Sequence, residues 1–354
     1  MSDAIRVTRA TTKKPRPKDH ELGFGTVFTD HMFVADFQEE KGWYDPRVEP
    51  YGPLSLDPAC AVLHYAQAIF DGLKAFRGTD GKVRLFRPQK HIERLNNSAR
   101  RMCIPPLDPE FALRSLVTLV GLEQAWVPSS VGTALYVRPV IIASEPFLGV
   151  RPAKSYIYYV ILSPVGAYYA EGMNPVKIRV EDKHIRAIPG VGAAKTGGNY
   201  AASLYAAEEA HKAGFTQVLW LDAVHRKYVD EVGTMNIMFR IGDEVLTPPL
   251  AGTILPGVTR DSALTLMREW GLPVSERQIE IDEVVAAARA GRLREAWGTG
   301  TAAVISPVGE LSYKDERLVV NGGKIGEVTQ RLYNAIVDIQ YARAADTHGW
   351  TVVV

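Results

Sequence analysis

The sequence has little cysteine and no long apolar run. Cys60 and Cys103 are its only cysteines, which excludes a disulfide framework and a cysteine-ligated zinc site and suits a reducing compartment. It also lacks a stretch of about 18 apolar residues and an apolar signal-peptide core, so we expect neither a membrane span nor secretion. We therefore predict a cytoplasmic globular protein without a bound metal.

The chain also has almost no excess of charge. Its 41 basic and 40 acidic residues give no broad field that would attract nucleic acid or an anionic membrane, so we expect small-molecule or protein partners. The one basic stretch is N-terminal and contains Arg6, Arg9, Lys13, Lys14, Arg16 and Lys18. Because this stretch has no amphipathic pattern and no aromatic residue, we interpret residues 1–20 as a disordered tail.

A length of 354 residues with 46% apolar residues is sufficient for two domains, and strand and helix patterns alternate along the chain. We predict an α/β fold with a small N-terminal domain at 21–162, a linker rich in proline and glycine at 163–175 and a larger C-terminal domain at 176–354. The predicted strands lie at 23–40, 82–86, 134–143, 156–162, 176–180, 216–222, 228–231, 234–241 and 244–247. The predicted helices begin at Asp57, Pro88 and Asp108 and, further along, span about 199–212, 258–270, 282–290 and 323–345. We expect the helix that begins at Asp57 to carry both Tyr65 and Phe70.

The most unusual stretch runs from Pro189 to Ala207, where Lys195 is the only charged residue among four glycines and six alanines. Burial disfavours a charged ammonium, so a lysine in such surroundings can act as a free amine that attacks carbonyl groups. This indicates a Schiff base, and the commonest aldehyde partner in enzymes is pyridoxal phosphate. That cofactor needs an acidic side chain beside its pyridine nitrogen, and Glu231, at a predicted strand end, is the candidate.

The cofactor's phosphate needs hydrogen-bond donors. We predict a helix start at Val258 and Thr259, with Thr259 as the N-cap, because the first N–H groups of a helix bind anions. The glycine-rich turn at 298–303 can add further donors.

Several segments resemble the branched-chain amino-acid aminotransferases, which are fold-type IV pyridoxal-phosphate enzymes. They occur in the family's order and are Phe70-Asp-Gly-Leu-Lys-Ala-Phe, Val83-Arg-Leu-Phe-Arg-Pro, Tyr136-Val-Arg-Pro, Lys195-Thr-Gly-Gly-Asn-Tyr, Glu231-Val-Gly-Thr-Met-Asn, Leu255-Pro-Gly-Val-Thr-Arg-Asp and Gly300-Thr-Ala-Ala. The similarity extends from about residue 20 to residue 345. It implies two α/β domains with the cofactor in the cleft between them, and a homodimer.

The resemblance also implies roles for individual residues. Lys195 would form the Schiff base, Tyr200 would hydrogen-bond the cofactor's phenolic oxygen, and Glu231 would pair with the pyridine nitrogen. The phosphate contacts would be Arg94, Val258, Thr259 and Thr301. The substrate pocket would comprise Tyr65, Phe70, Tyr136, Arg138, Tyr168, Thr234 and Ala302. Arg138 would contact the distal carboxylate of glutamate, and Thr234 with the Thr301–Ala302 turn would bind the α-carboxylate.

The activity implied is ping-pong transamination of leucine, isoleucine and valine with 2-oxoglutarate, giving 2-oxo acids and L-glutamate. A D-amino-acid aminotransferase or an aminodeoxychorismate lyase would keep Lys195, Arg94 and Glu231 and differ in the pocket, but the Tyr136-Val-Arg-Pro segment and the Thr-Met-Asn after Glu231 favour the branched-chain enzyme. A nucleotide-phosphate-binding protein is a remote alternative, since Gly190-Val-Gly-Ala-Ala-Lys-Thr resembles a phosphate loop. It is remote because Ala194 stands where that motif requires glycine.

Overall fold

The computed structural model describes residues 4–166, 173–314 and 316–354. It divides the chain into two compact units: unit 1 comprises Met1–Tyr168, Ala194–Gly197 and Asp338–Val354, and unit 2 comprises Tyr169–Ala193 and Gly198–Val337. This division differs from the expected boundaries, because the end of the chain and the short segment that holds Lys195 both group with unit 1. None of the described helices combines the length and the apolar character that crossing a bilayer requires.

The described residues form strands and helices in a mixed order. The strands are β1 (Arg6–Val7), β2 (His31–Gln38), β3 (Gly42–Pro50), β4 (Ala68–Phe70), β5 (Leu73–Arg77), β6 (Val83–Phe86), β7 (Ala134–Ala143), β8 (Ser155–Val165), β9 (Val176–Glu181), β10 (Gln217–Leu221), β11 (Val229–Val232), β12 (Met235–Ile241), β13 (Glu244–Thr247), β14 (Val274–Glu276), β15 (Leu293–Gly300), β16 (Val304–Tyr313), β17 (Glu316–Val319) and β18 (Thr351–Val353). The helices are α1 (Ala61–Tyr65), α2 (Pro88–Arg101), α3 (Pro109–Leu122), α4 (Gly197–Lys212), α5 (Val258–Glu269), α6 (Ile281–Arg289) and α7 (Glu327–Gln340).

Unit 1 is built on one sheet with the strand order β1-β3-β2-β8-β7-β5-β6-β18, and β4 pairs with β7. The antiparallel pairing of β18 with β6 explains why the C-terminal residues belong to this unit. Tyr156 and Tyr158 alternate with more exposed residues along β8 and point into the core. The Tyr158 ring packs against Phe33 and Phe111, with ring centroids 5.5 and 6.4 Å away. Each such buried aromatic contributes roughly 1.5–3 kcal/mol to folding, which anchors the centre of the sheet.

Local sequence determines where α2 and α3 begin. Pro88 lies in the first turn of α2, and the Asp108 carboxylate accepts the N–H of Phe111 at 2.8 Å at the start of α3. Both predicted starts are confirmed. The prediction that one helix carries Tyr65 and Phe70 is wrong, because Ala66 adopts a left-handed conformation (φ 51°) that ends α1, and Phe70 lies in β4.

The basic N-terminal segment also differs from the expected disordered tail. Within its described part, β1 pairs in parallel with β3, and the N–H of Ala10 donates to Nε2 of His31 at 2.8 Å. The N–H of Lys14 donates to the Asp30 carboxylate at 2.8 Å, and its ammonium lies 4.1 Å from the centroid of the Tyr51 ring. The donors of the described N-terminal segment therefore have partners in unit 1, which the sequence pattern alone did not predict.

Unit 2 is built on a second sheet with the order β11-β10-β9-β16-β15-β12-β13-β14, and β17 pairs with β16. Since β11 also pairs with β12, the strands from β11 to β12 close into a ring. Helix α7 is shorter than the predicted 323–345, and it begins where the Glu295 carboxylate accepts the N–H groups of Val328 and Thr329 at 3.1 and 2.9 Å. Of the predicted linker at 163–175, residues 167–172 lie outside the described residues.

Candidate active site

Lys195 is held from two sides within unit 1. Its backbone N–H donates to the Ser98 hydroxyl of α2 at 2.9 Å, and its carbonyl accepts the N–H of Phe70, the last residue of β4, at 3.0 Å. The next residue, Thr196, donates its hydroxyl to the carbonyl of Ala68 at 2.7 Å. The partly buried Lys195 amine then lies 4.8 Å from the centroid of the Phe70 ring. A strand end and a helix therefore position the lysine that the sequence singled out.

Arg94 is buried on α2 in a charged cluster. Its Nε and Nη2 donate to the Asp71 carboxylate at 2.8 and 2.7 Å, and Nδ1 of His91 lies 2.7 Å from the same carboxylate. Burial alone would raise the pKa of Asp71, but the Arg94 guanidinium and His91 hold it well below its usual range. Burial also lowers the pKa of His91, outweighing the opposite effect of Asp71. Asp71 therefore stays ionised and orients the Arg94 guanidinium.

Arg138 lies among aromatic rings of the same unit. Its guanidinium carbon is 4.7 Å from the centroid of the Phe70 ring and 5.2 Å from that of Tyr136, and its Nη2 donates to the Tyr136 hydroxyl at 3.0 Å. Its buried Nε has no acceptor among the described residues. Gly72 permits this arrangement, since a Cβ there would lie 1.8 Å from the Tyr136 hydroxyl oxygen. The arrangement combines an apolar surface with a donor for a carboxylate.

Two further pocket residues stay predictions from the resemblance. The Tyr65 side chain is 43% exposed, and its hydroxyl donates to the carbonyl of Leu148. Tyr168 lies outside the described residues.

In unit 2, Glu231 is buried and doubly held. Its Oε2 lies 2.5 Å from Nη1 of Arg186, and its Oε1 accepts a hydrogen bond from Nδ2 of Asn236 at 3.1 Å. The Arg186 guanidinium carbon lies 5.8 Å from the centroid of the Tyr200 ring. Arg186 therefore links Glu231 and Tyr200, two residues that the sequence assigned to the cofactor ring.

The start of α5 adjoins the Glu231 cluster. Asn236 also donates to the carbonyl of Leu255 at 2.9 Å, and a Cβ at Gly257 would lie 1.9 Å from its Oδ1, so only glycine fits there. The N-cap of α5 is Gly257 and not Thr259 as predicted; Val258 and Thr259 are the first two helical residues, and both are buried. The early N–H groups of this helix form a site suited to an anion.

The remaining predicted residues of unit 2 lie in turns. Thr234 is exposed in the turn between β11 and β12. Thr301 and Ala302 are partly buried in the turn between β15 and β16.

Each unit carries groups of the kinds that bind pyridoxal phosphate. Unit 1 has an amine against an aromatic face and a buried, oriented guanidinium, and unit 2 has a buried carboxylate beside a helix N-terminus with a close glycine approach. An aldehyde-bearing ring with one phosphate and one basic nitrogen requires these groups.

Sequence reasoning missed five residues that hold the predicted ones: Asp71, His91, Ser98, Arg186 and Asn236. His91 could have been found, because it lies three residues before Arg94 on the same helix face. Asn236 ends the Glu231-Val-Gly-Thr-Met-Asn segment that the resemblance already included. Asp71 likewise lies in the Phe70-Asp-Gly-Leu-Lys-Ala-Phe segment of the resemblance, and no local pattern points to Ser98 or Arg186.

Lys74 is a second lysine with altered acidity. It lies on β5 opposite Tyr136, and burial lowers its pKa from 10.5 to about 8. It is therefore the alternative amine against which the role of Lys195 has to be tested.

Comparison with known proteins gives consistent matches. The model of the amino-transferase class IV family matches residues 68–311. The branched-chain-amino-acid aminotransferase 2 of Bacillus subtilis is 55% identical over 99% of this chain and 97% of its own length. The branched-chain-amino-acid aminotransferase of Mycobacterium tuberculosis is 48% identical over 97% of this chain and 95% of its own length.

Solved structures agree in fold. The branched-chain amino acid aminotransferase of Escherichia coli superimposes with a TM-score of 0.77 at 25% identity, covering 91% of this chain and 98% of that one. The branched-chain amino acid aminotransferase of T.th., solved with pyridoxamine 5'-phosphate, has a TM-score of 0.73 at 24% identity, covering 90% of this chain and 97% of that one.

Proposed function

The chain belongs to the branched-chain-amino-acid aminotransferases of amino-transferase class IV, and from this premise we propose that it transfers the amino group of leucine, isoleucine or valine to 2-oxoglutarate with pyridoxal 5'-phosphate as cofactor. One observation carries the proposal: the Lys195 amine and the Arg138 guanidinium lie 4.8 and 4.7 Å from the centroid of one ring, that of Phe70. Both kinds of substrate require a reactive amine. The branched-chain amino acids also require an apolar surface, and glutamate requires a group that binds its distal carboxylate.

The roles toward the cofactor follow the assignment made from the sequence. Lys195 would hold the aldehyde carbon through its amine, and Arg94 would bind the phosphate. Glu231 would face the ring nitrogen and Tyr200 the phenolic oxygen, and Val258, Thr259 and Thr301 would donate to the phosphate. When bound, pyridoxal phosphate supplies an aldehyde that accepts the amino group and a ring that withdraws electrons from the substrate Cα.

The protein's own groups manage the protons. With the cofactor bound, the Lys195 amine would act as the base that removes the proton from the substrate Cα and as the acid that returns a proton to the aldehyde carbon. Glu231 would hold a proton on the ring nitrogen, and Nη1 of Arg186, 2.5 Å from Oε2 of Glu231, fixes the position of the Glu231 carboxylate. The two half-reactions share one set of groups, so the kinetics are ping-pong.

The substrate site must accept both an apolar side chain and the distal carboxylate of glutamate. Phe70 and Tyr136 supply apolar surface, and Arg138 supplies the donor for the second carboxylate. Thr234 and the Thr301–Ala302 turn bind the α-carboxylate, and Tyr65 and Tyr168 complete the pocket.

The Arg138→Met variant tests this assignment. Hydrogen bonds to charged groups are worth roughly 1.5–3 kcal/mol each, so we expect kcat/KM for 2-oxoglutarate to fall about 10- to 100-fold. The value for 4-methyl-2-oxopentanoate, which has no second carboxylate, should change less than about threefold. Arg47→Met, which removes a partly buried arginine paired with Asp36, is the matched control and should change neither value. An equal loss for both oxo acids in Arg138→Met would contradict the role of Arg138.

The chain also has an apolar surface suited to a second copy of itself. Five exposed apolar side chains form it: Leu63, Tyr65, Phe147, Leu148 and Val150, the last 84% exposed. The Tyr65 hydroxyl donates to the carbonyl of Leu148, and the N–H of Phe147 donates to the carbonyl of Ala59, so residues 59–65 and 147–150 are joined. Exposed apolar side chains grouped in this way are typical of a subunit interface, and we take their partner to be the same side chains of a second copy in a homodimer. Sedimentation should give twice the 39.0 kDa of the chain, and a monomer at micromolar concentration would refute this.

A cytoplasmic location completes the proposal. Both cysteines are free thiols, and Cys103 is exposed, which suits a reducing compartment. Cell fractionation with antibody detection is the direct measurement.

A further inference from the structure

Ser98 occupies a special position on α2. It is fully buried and lies one helical turn after Arg94. Its hydroxyl donates to the carbonyl of Arg94 at 3.0 Å and accepts the backbone N–H of Lys195 at 2.9 Å. Donation to the residue four positions earlier is common for a helical serine. Acceptance from a residue 97 positions away in the chain is a long-range contact that the helix does not need.

The consequence concerns two groups that must act on one ligand. In the proposed function, Arg94 binds the cofactor's phosphate and Lys195 attacks its aldehyde carbon, so the two side chains need a fixed separation. A single oxygen atom connects their backbones. On the other side, the Phe70 N–H and the Ala68 carbonyl of β4 hold Lys195 and Thr196, and neither of these two bonds involves Arg94.

We propose that Ser98 is a positioning residue that sets Lys195 relative to the phosphate-binding Arg94. This inference rests on the proposed function. Its effect should appear only when the ligand is held at its phosphate end, because an aldehyde without a phosphate reaches Lys195 without using Arg94.

The test compares two aldehydes on the cofactor-free protein. Apoenzyme is mixed with pyridoxal 5'-phosphate or with pyridoxal, and the rate at which the visible absorption band of the lysine adduct appears is recorded. For Ser98→Ala, we expect the rate with pyridoxal phosphate to fall about tenfold, the size of effect that loss of one buried hydrogen bond produces, and the rate with pyridoxal to change less than about twofold. Borohydride trapping and peptide mapping confirm that the adduct is on Lys195.

Ser115→Ala is the matched control. Ser115 is also fully buried on a helix of unit 1 and donates to a carbonyl of its own helix, that of Ala112, at 2.7 Å. Its loss removes a comparable bond without touching Lys195 or Arg94, so both rates should stay at the wild-type values. Ser98→Cys keeps the size of the side chain with a weaker acceptor, and its rate with pyridoxal phosphate should fall about threefold.

The outcomes separate the two levels of the proposal. An equal slowing of both aldehydes in Ser98→Ala and Ser98→Cys would overturn the positioning role and indicate a purely structural one, and so would unchanged rates. If Ser98→Ala does not fold, Ser98→Cys decides by the same ratio. If the wild-type protein forms no lysine adduct with either aldehyde, the proposed function fails, and the inference fails with it.

Discussion

Replacing Asp71 by asparagine is the sharpest perturbation of unit 1. The change keeps the size of the side chain and removes the charge of a fully buried carboxylate. That carboxylate accepts hydrogen bonds from Nε and Nη2 of Arg94 at 2.8 and 2.7 Å and from the N–H of Gly72 at 2.7 Å. An amide offers one oxygen and one NH₂ group, so at least one Arg94 donor would face another donor.

The expected magnitude follows from the burial of the pair. Removing one partner of a buried ion pair leaves the other charge uncompensated and costs roughly 3–5 kcal/mol. We therefore expect the free energy of unfolding of unit 1 to fall by about 3–5 kcal/mol at pH 7. Since the folded-state pKa of Asp71 lies below its unfolded value of 3.8, the stabilisation by the carboxylate is fully present above that value and is lost as the pH falls further. The difference between wild type and Asp71→Asn should be constant from about pH 5 to 8.

Hydrogen exchange of the α2 amides measures this loss within unit 1, where a two-state unfolding curve of the whole chain would mix both units. Asp80→Asn is the control, because Asp80 forms a similar pair with Arg84 at 2.6 Å but is exposed. Its loss should be much smaller, since water screens exposed pairs. If Asp71→Asn costs no more than Asp80→Asn, the reasoning about the Arg94 cluster is refuted.

Two further predictions concern other buried groups. Burial, together with the charges of Glu231 and Asp222, raises the pKa of Asp230 from 3.8 to about 7, so the folded state binds the proton more tightly and loses stability as the pH rises from about 4 to 7. Asp230→Asn should therefore raise the free energy of unfolding of unit 2 by about 2–4 kcal/mol at pH 8 and leave it unchanged near pH 4, which hydrogen exchange of the β11 amides at the two pH values checks. The pH dependence of stability due to Lys74 has the opposite sign. Burial lowers the pKa of Lys74 from 10.5 to about 8, so its charge opposes folding below pH 8. The wild-type protein therefore gains stability as the pH rises from about 8 to 10.5. Unit 1 of Lys74→Met should be more stable than that of wild type by up to about 3 kcal/mol at pH 7 and equal to it above about pH 10.5, and unchanged or faster hydrogen exchange of the β5 amides at pH 7 would contradict this.

Local chemistry was readable from the sequence, and the starts of α2 and α3 show why. Pro88 and the Asp108 carboxylate act on backbone groups within one turn, so their effect is contained in a few adjacent residues. The isolation of Lys195 among small residues was readable for the same reason. The helix expected from Asp57 begins only at Ala61 and ends after five residues, because Ala66 adopts a left-handed conformation that an alanine side chain does not predict.

Long-range partners were not readable. Ser98 and Lys195 are separated by 97 positions, and only the fold brings the hydroxyl to the N–H. Arg186 resembles any other arginine until β9 and β11 are paired to neighbouring strands and its guanidinium meets Glu231. The N-terminal segment was misread because its donors are satisfied by His31 and Asp30, which a local pattern cannot reveal.

The most direct test of the central claim is the absorption spectrum of the holoenzyme during addition of single amino acids. With L-leucine alone, the visible band should bleach in one turnover and release one equivalent of 4-methyl-2-oxopentanoate per active site, and L-glutamate should do the same with 2-oxoglutarate. D-alanine should leave the band unchanged. Bleaching by D-alanine and not by L-leucine would keep the cofactor chemistry and contradict the substrate class, and a protein that gains no visible band after incubation with pyridoxal phosphate would contradict the account as a whole.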